Sequence, residues 1–202
     1  MNSCSGCIAE GKCFVEWRSK GAWELFDMFH LKAIELISKN LRAAYAEAKS
    51  GVPGAGREGM ALGQYVAGMG FSNVGLGIDY AMAYTLSAHY DTPHGVACAM
   101  LLPVAMEFNK PVCAERLADV ARAMGVNVSG MSVQEAADAA IDAVRKLPAD
   151  VEIPHTCNGL VAEDLEQLAT DAMADACFPG NPRKSITIRQ SSYSVNYGIG
   201  ER

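Results

Sequence analysis

The chain has little positive charge and no long uninterrupted apolar run. Its 17 Lys and Arg are outnumbered by 23 Asp and Glu, which gives a formal net charge of −6. Such an acidic chain lacks the basic patch that proteins use to bind nucleic acids or anionic membranes. The longest apolar stretch, residues 95–106, contains Pro103 and is far shorter than a membrane span. We therefore expect neither nucleic acid nor membrane as a partner, and a cytoplasmic location.

Strand patterns and nucleotide-binding loops are also scarce. Only residues 185–195, SITIRQSSYSV, alternate in the way a strand does. The chain contains no G-x-G-x-x-G motif after a strand and no alternation of strand and helix patterns. The sequence therefore predicts an all-α fold and excludes a dinucleotide-binding α/β domain within these 202 residues.

Helical periodicity fills most of the chain, and Gly or Pro separates its segments. A capping box is formed by Ser132 and Glu135, and Pro148 is expected to end the helix that follows. The sequence AHYDTPHG, residues 88–95, is predicted to be a loop because Thr92 precedes Pro93. The predicted helices are residues 23–49, 57–69, 78–87, 94–108, 112–124, 133–147 and 163–177.

Three cysteines near the amino terminus form a C-x2-C-x5-C pattern. These are Cys4, Cys7 and Cys13. A structural metal site needs a fourth ligand at a recognisable spacing, and none follows closely. Reduced thiols in a loosely held terminus are the simpler interpretation, and a metal site is the alternative.

One segment carries a long and specific signature, and other blocks extend it. Residues 68–95, GMGFSNVGLGIDYAMAYTLSAHYDTPHG, resemble the signature of the iron-dependent (group III) alcohol dehydrogenases. The blocks HLKAIELISKNLRAA, HGVACAMLLPVAMEFN, GMSVQEAADAAIDAV and ADACFPGNPR are also similar to that family. The resemblance implies the C-terminal helical metal-binding domain of the iron-type alcohol dehydrogenase and dehydroquinate synthase-like fold. It divides the chain into a divergent Cys-containing segment (1–20), the helical domain (21–184) and a divergent tail (185–202).

The resemblance also implies a chemistry. Members of the family interconvert alcohols and aldehydes with NAD(H), and they hold Fe²⁺ or sometimes Zn²⁺ as a Lewis acid through one Asp and three His. The blocks GAWELFDMFHLKAIELI and GMALGQYVAGMGFSNVGLG carry a narrower match to members that act on small aldehydes and diols. We therefore expect a small aldehyde or diol as the substrate, with NAD and iron or zinc as cofactors, or no cofactor at all in this chain.

Only one of the four metal-ligand positions implied by the resemblance keeps its residue. His94 matches, whereas Tyr80, Lys12 and Ile8 occupy the other three positions. An Ile has no donor atom, and a Lys ammonium repels a cation. An alternative metal cluster is H-x-D-x-x-H, formed by His89, Asp91 and His94, whose imidazoles and carboxylate suit Zn²⁺ or Fe²⁺.

Three further positions match the substrate side of the family's cleft. Phe71 corresponds to the aromatic that lines it, and Asn73 belongs to the turn beside it. Tyr84 stands where the family has a further histidine near the nicotinamide. No residue is assigned a catalytic role.

Two functions are consistent with this pattern. The first is a partial iron-dependent alcohol dehydrogenase that is inactive as an isolated chain. The second is a non-catalytic helical remnant or interaction module from a truncated or frameshifted gene, since the match ends abruptly on both sides. Loss of the nucleotide-binding domain is expected to uncover an apolar cleft face and to favour a homo-oligomer or a covering partner. That face consists of Phe71, Val74, Leu76, Tyr80 and Tyr84.

Overall fold

The described part of the chain is a bundle of α-helices. The computed structural model describes residues 23–154 and 156–184. In this part there are no β-strands, so the all-α prediction is confirmed, and the strand-like residues 185–195 lie outside it. The helices are α1 (Glu24–Ser50), α2 (Ala55–Phe71), α3 (Ile78–Tyr90), α4 (His94–Ala123), α5 (Val133–Asp150) and α6 (Leu165–Ala174), with 3-10 turns at Ala162–Asp164 and Phe178–Gly180.

Helices α1 and α2 form a hairpin that depends on glycine. A Cβ added at Gly56 would lie 2.5 Å from the backbone nitrogen of Ala44, and one at Gly70 would lie 2.5 Å from Nε2 of His30. Since real Cβ atoms do not come this close, Gly56 allows the two helix backbones to approach, and Gly70 leaves room for the His30 ring. The carboxylate of Glu47 on α1 also accepts hydrogen bonds from the first amides of α2, at Gly56 (2.8 Å) and Arg57 (3.0 Å). It thereby satisfies amides that have no partner within the helix.

Helix α3 lies at the centre of the domain and is buried over most of its length. It continues to Tyr90 and ends where Asp91 adopts a left-handed conformation (φ 49°), so the predicted loop 88–95 is reduced to residues 91–93. Two contacts to the α6 region hold the extra turn. His89 Nε2 lies 2.9 Å from Asp171 Oδ2, and the Tyr90 hydroxyl donates to Asp164.

Helix α4 corresponds to two predicted helices, which are joined at a kink. The backbone leaves helical geometry at Cys113 (φ −134°, ψ 17°), two residues after Pro111. A proline inside a helix removes one hydrogen bond and bends the axis, which accounts for the break. By length and composition α4 could cross a membrane, but 67% of its most apolar window is buried among the other helices. It is therefore the core helix of this domain.

Helix α5 confirms the predicted start and corrects the predicted end. The Ser132 side chain accepts from the Glu135 amide (3.3 Å), and Glu135 accepts from the Ser132 amide (2.7 Å). Pro148 does not stop the helix, which continues to Asp150. The prediction was wrong because Asp150 is held both by Arg42 of α1 (2.7 Å) and, within α5, by Lys146 one turn earlier (2.6 Å). The last predicted helix, 163–177, is shorter and comprises α6 after a 3-10 turn.

Candidate functional site

The turn between α2 and α3 carries the residues predicted for the substrate side. Phe71 ends α2 and is half-buried, and Asn73 is exposed with its side-chain nitrogen donating to the Met69 carbonyl (3.0 Å). Gly75 has a φ of 77°, a left-handed conformation that side chains rarely adopt. The sequence FSNVGLG therefore forms a tight turn that brings Phe71 and Asn73 to the start of α3.

A buried pair of amides holds this turn against α4. Asn181 Oδ1 accepts from the Ile78 backbone amide (3.4 Å) and from Asn109 Nδ2 (2.9 Å), and its own Nδ2 donates to Asn109 Oδ1 (2.8 Å). Both residues are at most 3% exposed. A Cβ at Gly180 would collide with the Leu76 carbonyl oxygen, so the segment packs directly on the turn. Sequence reasoning assigned no role to this pair, although both residues stand in blocks that resemble the family.

Three aromatic rings meet where α3 and α4 adjoin. The imidazole of His94 is stacked on the ring of Tyr84, with centroids 4.6 Å apart and planes 11° from parallel. Tyr80 meets both rings edge-on, at 5.3 Å from His94 and 5.9 Å from Tyr84. Tyr80 is 1% exposed and Tyr84 is 44% exposed. The structure therefore brings together the retained metal-ligand residue and two of the residues that replace family histidines.

Thiols and a carboxylate surround this cluster. The sulfur of Cys98, one helical turn after His94, lies 3.5 Å from His94 Nε2. Burial raises the pKa of the Tyr84 phenol, and the nearby Cys177, Cys98 and Asp175 raise it further. Burial and a hydrogen bond to Asp175 raise the pKa of the Cys177 thiol to about 12. The phenol and the Cys177 thiol are therefore held in their neutral forms, which are poor metal ligands.

The alternative cluster of His89, Asp91 and His94 is not assembled. His89 turns to Asp171 on α6, and Asp91 lies exposed at the end of α3. His94 faces the two tyrosines. In residues 23–154 and 156–184, no group of three or more His, Cys, Asp or Glu side chains is arranged to hold a metal ion.

The residues that the structure describes do not fit the iron or zinc that the resemblance implies. Tyr80 contributes an aromatic contact to His94, and the Cys98 sulfur lies 3.5 Å from His94 Nε2. Zinc and iron sites of this kind need three or four imidazole, carboxylate or thiolate ligands that converge on one point. The other positions expected to bind the metal, Ile8 and Lys12, lie outside the described residues, as do Cys4, Cys7 and Cys13.

The expected apolar cleft face is largely covered by the domain itself. Val74 is 7% exposed and Tyr80 is 1% exposed, while Phe71 and Leu76 are half-buried. Only Tyr84 of the five is exposed. The face is therefore less exposed than expected, and the segment that contains Gly180 and Asn181 packs on its turn at Leu76 and Ile78.

Comparison with known proteins shows that the chain is similar to alcohol dehydrogenases of one family. Residues 13–188 match the family model of the C-terminal domain of Fe-containing alcohol dehydrogenases. The chain is 52% identical to the lactaldehyde reductase of Escherichia coli K12 over 187 residues, which are 92% of this chain and 48% of that protein. It is 41% identical to the 1,3-propanediol dehydrogenase of Citrobacter freundii over 186 residues, which are 91% of this chain and 47% of that one.

Solved structures agree with the sequence relatives. The alcohol dehydrogenase of Oenococcus oeni superposes with a TM-score of 0.90 at 34% identity, over 98% of this chain and 51% of that one. A 1,3-propanediol oxidoreductase superposes with a TM-score of 0.88, also at 34% identity, over 98% of this chain and 50% of that one. The chain therefore spans about half the length of the relatives it matches.

Proposed function

Because this chain belongs to the Fe-containing alcohol dehydrogenase family, we propose that it supplies the helical half of a lactaldehyde-reductase-like oxidoreductase and has no turnover as an isolated chain. The reaction that the resemblance implies is the NAD(H)-dependent interconversion of lactaldehyde and propane-1,2-diol. The observation that carries the proposal is the 52% identity to lactaldehyde reductase, which extends over nearly the whole described domain.

The turn between α2 and α3 supports a role on the substrate side. Phe71 offers a half-buried aromatic surface, and Asn73 presents a polar side chain beside it. An apolar wall with one polar group suits a small molecule with a short carbon chain and hydroxyl groups. The Asn109–Asn181 pair holds the turn in place, so these two side chains are positioned by a rigid support.

The absence of turnover follows from what the reduction requires. An aldehyde carbon must receive a hydride, and its oxygen must be polarised and then receive a proton. The resemblance implies that the hydride comes from a nicotinamide, which is held by a domain outside the matched half. The described residues also offer no converging ligands for a polarising metal.

A non-catalytic helical module is the second candidate. It is favoured by the aromatic cluster of Tyr80, Tyr84 and His94, which packs side chains together where the resemblance implies a metal. In this interpretation the fold persists and the chemistry does not. The two candidates differ in one respect, which is whether the domain supports turnover once the missing groups are supplied.

A graded series of chimaeras tests the proposal. The first protein is this chain alone. The second replaces residues 1–20 with the upstream part of E. coli lactaldehyde reductase, including its first two metal ligands. The third adds Tyr80→His. Lactaldehyde-dependent oxidation of NADH is measured for each with Fe²⁺ under anaerobic conditions, with the intact E. coli enzyme as the positive control.

We expect activity in the third protein only. Turnover by the chain alone would contradict the proposed inactivity. A third protein that is folded and binds Fe²⁺ but leaves lactaldehyde unreduced would contradict the substrate assignment and favour the non-catalytic module. A matched variant of the third protein, Phe71→Ala, is expected to raise KM more than it lowers kcat, because Phe71 is placed to contact the substrate.

A further inference from the structure

The imidazole of His94 has a defined packing environment. Tyr80 and Tyr84 stand four residues apart on α3, so their rings lie on the same face of that helix. His94 is the first residue of α4, and its ring is stacked on Tyr84 at 4.6 Å and meets the edge of Tyr80 at 5.3 Å. Stacked and edge-on arrangements at these separations attract one another beyond the effect of burial alone.

The Cys98 thiol lies beside the same imidazole. Cys98 Sγ lies 3.5 Å from Nε2 and 4.0 Å from Nδ1 of His94. A metal would have to lie in the plane of the ring, about 2 Å from one of these nitrogens. The ring face is used by Tyr84, and in residues 23–154 and 156–184 no group of three or more His, Cys, Asp or Glu side chains could hold a metal at these nitrogens.

We infer that His94 stabilises the packing of α4 on α3 through its ring contacts in this chain and does not bind a metal. Only residues 91–93 separate the two helices, so the rings fix the direction in which α4 leaves α3. The stack would then contribute to stability without any metal. This role does not depend on the proposed function, because it concerns the packing of the isolated chain.

Two variants at position 94 distinguish the contribution of the aromatic ring to stability from that of its nitrogens. His94→Phe keeps an aromatic ring that can stack on Tyr84, whereas His94→Gln keeps a polar side chain without a ring. Thermal unfolding of the full chain is followed by circular dichroism, with and without EDTA. We expect His94→Gln to lower Tm by roughly 3 to 6 °C. The loss for His94→Phe is expected to be less than half of that, and EDTA is expected to change nothing.

A second pair of variants provides the same contrast at an exposed position. Tyr84 is 44% exposed, so its replacement leaves the core intact. Tyr84→Phe keeps the ring and is expected to unfold within 1 °C or so of the unmodified chain, and Tyr84→Leu is expected to lower Tm by roughly 2 to 5 °C. If His94→Gln fails to fold, the two Tyr84 variants show whether the stacked rings contribute to stability.

Cobalt binding gives an independent measurement. Equilibrium dialysis of the unmodified chain against Co²⁺ is expected to show no equimolar site that depends on His94. One Co²⁺ per chain that is lost in both His94→Phe and His94→Gln would overturn the inference. Equal Tm losses for the ring-keeping and ring-removing variants, at position 94 or at position 84, would overturn it as well. Neither result involves turnover, so the inference and the proposed function can fail separately.

Discussion

Asn109 and Asn181 exchange two hydrogen bonds between their side-chain amides, at 2.9 and 2.8 Å, although 72 residues separate them in the chain. Both are almost fully buried, and Asn181 also accepts from the Ile78 amide and donates to the Arg183 carbonyl (2.9 Å). One asparagine thereby connects α4, the start of α3 and the carboxyl-terminal end of the described chain.

Removal of this amide is expected to destabilise the whole domain. Asn181→Ala should lower the free energy of unfolding by about 2 to 4 kcal/mol, because it leaves the amide of Asn109 and the backbone of Ile78 buried without this partner. Urea unfolding of Asn181→Ala, Asn109→Ala and the double variant measures the coupling between the two residues. Losses that simply add in the double variant would show that the pair is not an energetic unit.

The glycines of α2 are expected to differ sharply in their tolerance of alanine. A Cβ at Gly56 meets backbone atoms of Ala43 and Ala44 at 2.8 and 2.5 Å, whereas one at Gly68 comes no closer than 3.9 Å to Phe71. We expect Gly56→Ala to cost about 1 to 3 kcal/mol through overpacking, and Gly68→Ala to be neutral or stabilising through better helix propensity. Urea unfolding of the two variants checks this. Similar stabilities would mean that α1 and α2 are not in close backbone contact.

His30 is expected to make stability depend on pH. Burial and, to a lesser extent, the positive charge of Arg116 lower the pKa of this imidazole to about 4. The folded chain therefore stays unprotonated at His30 between pH 6.5 and 4, while the unfolded chain takes up a proton. Stability is full above pH 6.5 and is lost as the pH falls towards 4, by an amount on the order of 3 kcal/mol.

Urea unfolding at pH 7.5 and pH 4.5 measures this loss. Burial also raises the pKa of Asp27, which faces Arg116 at 3.5 Å, so a variant is needed to isolate the contribution of His30. His30→Gln removes the titrating group and should show a smaller decrease between the two pH values. Equal decreases in the variant and the unmodified chain would assign the effect to other groups.

Two substitutions are expected to create a metal site in the aromatic cluster. The three ring centroids of Tyr80, Tyr84 and His94 lie within 5.9 Å of one another. Tyr80→His combined with Tyr84→His would bring three imidazoles close together, and zinc and cobalt accept this ligand set once the rings turn their nitrogens towards one point. Isothermal titration with Zn²⁺ should show binding at least about tenfold tighter than in the unmodified chain. The same pair with His94→Phe added is the control and should lose that gain.

Self-association remains a prediction, and the structure indicates a different surface for it. The exposed apolar side chains of the α1–α2 hairpin include Met28 (56%), Leu62 (52%) and Tyr65 (68%). Leu62 and Tyr65 stand three residues apart and share one face of α2. We expect light scattering after size exclusion to show an oligomer that Leu62→Lys with Tyr65→Lys weakens, while Val161→Lys on another surface does not. A monomer over a wide concentration range would contradict this.

The sequence determined the features of this protein that depend on neighbouring residues. Helical periodicity, the capping box of Ser132 and Glu135, and the breaks at Gly51 and Gly75 predicted the all-α class and most helix starts. These signals act within one or two turns of the chain, so they can be interpreted without knowing the fold. The family resemblance was also readable, because it is carried by continuous segments such as residues 68–95.

Tertiary contacts decided what local signals could not. Pro148 lies inside α5 because Arg42, from a distant helix, holds Asp150. The turn at the start of α3 is fixed because Asn181 accepts a hydrogen bond from the Ile78 amide from 103 residues away. His94 was recognisable as a family ligand position, but its stacking on Tyr84 depends on the angle at which α3 and α4 meet. Such contacts join residues that are far apart in the chain, and their geometry is fixed only when the helices pack.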